Sequence, residues 1–198
     1  MQKKLGRNTV VLLGIGHTNA HVLRKWKMKP LENAELVCVS NFPISTYSGM
    51  LPGVLSGQYP AEKMEIDLVR LCAASGVRLI LDEVVGVDPL EQRLLFRNRP
   101  SLTYDALSIG VGSVPTLGDV EISDPSPLIS VKPMQTFLSR LRGRLQAFQG
   151  GGNPRVAVVG GGIGSIEIAF CLDQRLKTNP ASLAVGSGQP CEISLISG

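Results

Sequence analysis

At 198 residues, with 43% hydrophobic and 18% charged residues, the chain can bury a packed core in one large domain or two small ones, and it is not a disordered polypeptide. The formal net charge of +4 is scattered except at Arg24-Lys25-Trp26-Lys27-Met28-Lys29, and no nucleic-acid-binding motif accompanies that cluster. The cluster reads as the solvated end of a first helix, in preference to a docking site for an acidic partner or anionic lipid.

Met1–Lys4 followed by the apolar run Val10–Ile15 imitates a signal peptide, but the run is short and broken by glycines. No stretch approaches the length of a transmembrane helix, so a cytoplasmic location is the default expectation. Val10-Val11-Leu12-Leu13-Gly14-Ile15-Gly16-His17-Thr18-Asn19 reads as a buried strand turning sharply into a helix. Such a turn aims backbone N–H groups and the positive end of a helix dipole at one point, where a pyrophosphate fits. Gly14 allows the turn, Gly16 allows close approach of phosphates, and His17 lines the pocket. The third glycine of the dinucleotide fingerprint is replaced by Asn19.

After a helix ending near Pro30, Glu35–Ser40 reads as the next parallel strand. Its tip, where a ribose-binding acid usually sits, carries Ser40, a weaker hydrogen-bonding partner. The hydroxyl- and glycine-rich stretch Ser45–Gly57 reads equally as a ligand-binding loop or as a turn into a short helix. Ile66–Ser75 suggests a helix stopped by Gly76, and Val77–Leu81 a strand. Glu83–Asp88 and Arg93–Arg97 suggest a β-hairpin, and Tyr104–Pro115 a strand followed by a glycine turn. Thr116–Ser130, dense in Asp, Pro and Ser, marks the domain boundary, giving domains over 1–116 and 117–198.

Pro133–Phe148 carries an apolar stripe at helical spacing through Met134, Phe137, Leu138, Leu141, Leu145 and Phe148. Pro154–Glu167 then repeats strand, glycine turn and helix, with Gly160, Gly162 and Gly164 in the turn and Ser165 at the third fingerprint position. Two such turns in one short chain point to two nucleotides, one for each half. Lys177–Pro190 reads as a surface loop, and Glu192–Ser197 as the following strand. Cys38, Cys72, Cys171 and Cys191 form no close pair in sequence and read as buried thiols; His17 and His21 lack a third partner for a metal.

The order Val-Leu-Leu-Gly-x-Gly, then Tyr104-Asp105-x-Leu107 leading to Gly112-Ser113-x-Pro115, then Val-Val-Gly-Gly-Gly-x-Gly-x-x-Glu resembles the two-dinucleotide-binding flavoproteins of the pyridine nucleotide–disulfide oxidoreductase superfamily. Tyr47–Gly53 and Val131-Lys132-Pro133 look like the type II NADH dehydrogenase branch, including the flavoprotein found fused to selenide, water dikinase. The resemblance implies an α/β architecture: a Rossmann-like FAD-binding fold with a parallel sheet, helices and a β-hairpin limb, then the start of a second Rossmann-like fold for NAD(P)H.

It further implies FAD at Gly14, Gly16 and Ser40, with Val84 and Val85 offering backbone to the adenine. Gly112 and Ser113 would close over the cofactor, and Ser48, Gly49 and Met50 would lie near the isoalloxazine. NADH or NADPH would bind at Gly160, Gly162, Ile163, Gly164 and Ser165, with Glu167 placing the nicotinamide. Hydride would pass from nicotinamide to flavin and on to an acceptor such as a quinone, with no conventional acid or base nominated. The cysteine pair of the disulfide-reducing members is missing, as are the catalytic cysteines of a sulfide:quinone oxidoreductase. In the family the FAD half resumes after the NAD half with a Gly-Asp motif, so the sequence is expected to be an N-terminal portion. Peripheral contact with the inner face of the membrane, through a C-terminal region, and homodimerisation are left open. The rival expectation is a non-catalytic nucleotide-binding or redox-sensing module of a larger or fused protein.

Overall fold

The apolar run near the start of the chain forms an inner strand of a four-stranded parallel sheet. In the computed structural model, residues 7–115, 121–124, 127–147, 155–183 and 191–197 are described. The elements of the first stretch are β1 (Asn8–Leu13), α1 (His17–Met28), β2 (Ala34–Ser40), β3 (Ile44–Thr46), α2 (Leu51–Leu55), β4 (Glu65–Asp67) and α3 (Leu68–Ala74). They continue with β5 (Arg78–Leu81), β6 (Val84–Asp88), β7 (Arg93–Phe96), β8 (Leu102–Thr103) and β9 (Ala106–Ile109). The last are α4 (Phe137–Ala147), β10 (Arg155–Val159), α5 (Ile163–Thr178) and β11 (Glu192–Ile196). The chain divides into two compact units, residues 1–47 with 65–113, and residues 48–64 with 114–198.

In the first unit the sheet order is β5-β2-β1-β9, all parallel. Successive side chains of β1 and β2 feed opposite cores, which is why these strands read as unbroken apolar runs. Leu12, Leu36 and Cys38 pack with Leu23, Leu68 and Cys72 from α1 and α3. Val11, Leu13, Val37 and Val39 pack with Leu94, Phe96 and Tyr104 beneath the antiparallel limb β6-β7-β8. The predicted hairpin is present and gains the short third strand β8.

The helix expected from Ile66 begins at Leu68 because residues 65–67 pair antiparallel with β3. Asp67 then caps it, accepting a hydrogen bond from the Arg70 N–H at 2.9 Å. Gly76, at φ +62°, ends it as expected.

In the second unit β10, α5 and β11 form a parallel strand–helix–strand unit. Leu51, Val54 and Leu55 of α2, Phe137 and Leu141 of α4, and Leu172 and Leu176 of α5 share one core. The helix expected over 133–148 opens as a 3-10 turn at Met134–Thr136; Met134, Phe137 and Leu141 are its buried residues, and Phe148 lies outside the described residues. The loop expected over Lys177–Pro190 is helical in its described part, and residues 184–190 lie outside the described residues. Helix α5 runs through Thr178, with Lys177 donating to Asp173 at 2.7 Å across one turn, and a 3-10 turn follows at Pro180–Leu183.

Candidate functional site

The first glycine turn is held from three sides. Gly14 has φ +75°, a left-handed conformation, and its N–H donates to the Val39 carbonyl at 2.8 Å. A Cβ at Gly14 would fall 2.6 Å from the Gly110 carbonyl oxygen, so only glycine fits between β1 and the end of β9. Gly110 in turn donates its N–H to Leu13 at 2.7 Å.

Asn19, where the fingerprint has its third glycine, is 1% exposed. Its amide donates to the Gly14 carbonyl at 2.7 Å and accepts from the Ser108 hydroxyl at 2.8 Å, tying α1 to the turn and to β9. A Cβ on Gly110 would lie 2.7 Å from that amide nitrogen. Asn19 is therefore a support of the turn, and Ser108 and Gly110 are its partners. Sequence reasoning missed all three, because the signal, a polar side chain one turn into an apolar helix face, identifies no partner.

Gly16 is the N-cap of α1; no side chain caps the helix and no acid lies in its first turn. The positive helix end is thus left for an outside anion. A Cβ at Gly16 would meet nothing nearer than 3.8 Å. His17, first in the helix, stacks on Tyr47 with ring centroids 5.0 Å apart and planes at 23°. Ser45 is buried and donates its hydroxyl to the Ile15 carbonyl, fixing β3 beside the turn.

Ser40 sits at the end of β2 as expected, but its hydroxyl serves its own turn, donating to the Phe42 carbonyl at 2.8 Å and accepting from the Phe42 N–H at 3.2 Å. Val84 pairs with Phe96, and the register shifts between Val84 and Gly86, which makes Val85 a bulge residue whose backbone stands outside the ladder. Gly112 has φ +77°, and it and Ser113 are exposed.

In the second unit Gly160 has φ +135° and donates to the Ile196 carbonyl at 2.8 Å. A Cβ there would fall 2.6 Å from the Ser165 hydroxyl, which places Ser165 directly against the turn. Gly162 is the N-cap of α5, again with no capping side chain and no acid in the first turn. Cβ atoms at Gly162 and Gly164 would meet nothing within 4 Å, and Ile163 is 79% exposed. Glu167 is exposed one turn on. Ser48, Gly49 and Met50 form a 3-10 turn in this unit, with Met50 packed against its core.

All four cysteines are free thiols. Cys38 and Cys72, distant in sequence, meet across β2 and α3; their mutual hydrogen bond and burial push the Cys38 thiol up, so it stays protonated. Burial, and then the negative charge of Glu167, push the Cys171 thiol up, and burial does the same at Cys191. No helix among the described residues is long and apolar enough to cross a membrane.

These features, a parallel Rossmann-like sheet followed by a second, smaller parallel sheet with a glycine turn and an uncapped helix in each, define a two-dinucleotide-binding fold. It is the fold of the pyridine nucleotide–disulfide oxidoreductase-like flavoproteins, NDH2-type members included. The sulfide:quinone oxidoreductase of Aquifex aeolicus superposes with a TM-score of 0.61 at 18% identity, over 96% of this chain and 43% of that one. NADH:rubredoxin oxidoreductase of Clostridium acetobutylicum gives 0.66 at 15% identity, over 96% and 45%. NDH2 of Plasmodium falciparum gives 0.67 at 17% identity, over 96% and 41%. The chain therefore spans less than half the length of these structures. No protein-family model matches the chain, and no curated protein matches it by sequence.

Proposed function

We propose that the chain is the nucleotide-binding part of an FAD-dependent oxidoreductase that takes hydride from NADH or NADPH and passes electrons to an acceptor such as a quinone. The observation that carries this reading is the pair of glycine turns, one in each unit, each opening a helix with no N-capping side chain and no acidic residue in its first turn. Both fit a diphosphate: the space beside Gly16 and Gly162 is open where a side chain would stand.

In this reading FAD is held by Gly14, Gly16 and His17, with the backbone of Val84 and Val85 at the adenine and Gly112 and Ser113 covering it. The flavin supplies hydride acceptance and onward electron transfer. Gly160, Gly162, Ile163, Gly164 and Ser165 bind the dinucleotide that donates hydride, and Glu167 orients it. Ser48, Gly49 and Met50 are assigned to the flavin environment. The functional division near residue 116, the peripheral cytoplasmic location and a homodimeric state belong to the same proposal.

The rival reading, a nucleotide-binding module without turnover, is favoured by one observation. Ser40 is committed to its own turn, so a ribose there must compete with the Phe42 backbone. Anaerobic addition of NADH to the FAD-loaded full-length protein separates the two. Loss of the visible flavin absorbance supports the oxidoreductase; unchanged absorbance with both nucleotides bound supports the module.

A further inference from the structure

Tyr47 belongs to none of the three hydrophobic cores and is 39% exposed, so packing does not explain it. Its ring nevertheless has a defined neighbour, the His17 imidazole, with centroids 5.0 Å apart and planes at 23°. Both rings stand on anchored backbone. His17 is the first residue of α1, directly after the Gly16 N-cap. Tyr47 follows β3, where residues 44–46 pair with β4 and the Ser45 hydroxyl donates to the Ile15 carbonyl inside the glycine turn.

Among the described residues, the His17 ring makes no hydrogen bond, so the stack is what gives the imidazole its direction. A near-parallel stack covers one face of the imidazole and leaves the ring edge, which carries both nitrogens, clear of the tyrosine. The helix that His17 opens has no capping side chain and no acid in its first turn, so its end favours an anion. The second turn shows that a glycine turn does not itself require such a stack. There the first helix residue, Ile163, is aliphatic and 79% exposed.

We infer that Tyr47 is a positioning residue of the first dinucleotide site: by stacking on His17 it holds the imidazole at the turn, ready to donate an N–H to the FAD diphosphate. The inference rests on the proposal that the first turn binds FAD. A side chain already held in one rotamer does not have to be immobilised when the ligand arrives. Immobilising one such side chain corresponds to roughly two- to tenfold in affinity.

The test uses the full-length protein freed of flavin and titrated with FAD by flavin fluorescence, with melting followed by circular dichroism. Tyr47→Leu should weaken FAD binding roughly two- to tenfold at an unchanged melting temperature. Tyr47→Phe, which keeps the ring and loses only the hydroxyl, should bind like the parent. In a His17→Ala background, itself weakened, Tyr47→Leu should cause no further loss, because no imidazole is left to hold. A residue that only supported the fold would weaken both backgrounds equally. The inference is overturned by parental affinity in Tyr47→Leu or in His17→Ala, by Tyr47→Phe binding as weakly as Tyr47→Leu, or by an equal loss with and without His17. Gly16→Ala separates these outcomes from failure of the underlying assignment. If it weakens FAD binding and Tyr47→Leu does not, only the role of Tyr47 falls; if neither does, FAD leaves the first turn and the inference goes with it.

Discussion

Gly14 and Gly16 are two residues apart, yet the structure assigns them different costs of substitution. Alanine at Gly14 would have to adopt φ +75°. That costs roughly 1–2 kcal/mol for a residue with a Cβ. Its Cβ would also stand 2.6 Å from the Gly110 oxygen and 2.8 Å from the Val111 Cα, both backbone atoms that cannot rotate away. Crowding of that kind typically adds about 1–3 kcal/mol. The total of about 2–5 kcal/mol is a large part of the roughly 5–15 kcal/mol that holds a domain together. For a unit of this size, it should lower the melting temperature by about 10 °C or more. Gly16, at φ −81° and ψ −168°, is in extended backbone open to any residue, and its Cβ would meet nothing nearer than 3.8 Å. Gly16→Ala should therefore melt with the parent chain while weakening FAD binding, because the added methyl stands where the diphosphate would lie. Thermal melts by circular dichroism, with FAD titrations followed by flavin fluorescence, test both. A Gly14→Ala chain that melts normally would refute the close approach to β9, and a Gly16→Ala chain with unaltered FAD affinity would remove Gly16 from the site.

Asn19→Ala leaves the Gly14 carbonyl and the Ser108 hydroxyl without their buried partner, and should cost about 1–3 kcal/mol; an unchanged urea midpoint would show that the amide supports nothing. Gly162→Ala adds a methyl where the protein has no atom within 4 Å, so folding should be unaffected and NADH affinity reduced, and an unaltered dissociation constant would take the second turn out of the site. Cys38 and Cys72 should resist alkylation at neutral pH until the chain is denatured, whereas Cys171 and Cys191 should react slowly and faster as pH rises. Rapid stoichiometric labelling of Cys38 in the native protein would contradict its burial.

What could be read from the sequence was whatever repeats locally. The run Val10–Leu13, the glycines that follow, the hairpin and the stripe of α4 each announce themselves within about a dozen residues, because strand and helix periodicities are local properties. Long-range polar contacts do not announce themselves. Asn19 looked like a defect in the fingerprint, and only its approach to Gly14 and Ser108, 89 residues away, shows it to be a support. Cys38 and Cys72 seemed unrelated for the same reason: a strand and a helix bring them together. Ser40 had the reverse fate, since its hydroxyl looked available and a turn two residues long occupies it. The start of α3 was misplaced because β4 pairs with β3, a preference that residues 65–67 do not carry on their own.

The two turns also differ in what surrounds them, and the difference bears on the proposed function. At Gly14 the obstacle to a side chain is the backbone of Gly110 and Val111, and the Asn19 amide holds the Gly14 carbonyl in place. At Gly160 the nearest obstacle is the Ser165 hydroxyl, the rotatable end of a short side chain. A turn fixed by backbone holds its N–H groups in place before any ligand arrives, which lowers the ordering cost of binding. The second turn is likewise anchored through the Gly160 N–H to the Ile196 carbonyl, but its Ser165 hydroxyl can rotate as a ligand enters and leaves. Under the proposed assignment that is the division of labour the chemistry requires, with a coenzyme that stays bound at the first turn and one that exchanges at every cycle at the second. The melting and affinity measurements on Gly14, Gly16 and Gly162 therefore test one argument: substitution in the first turn should disturb folding at Gly14 and binding at Gly16, whereas substitution at Gly162 should disturb binding alone.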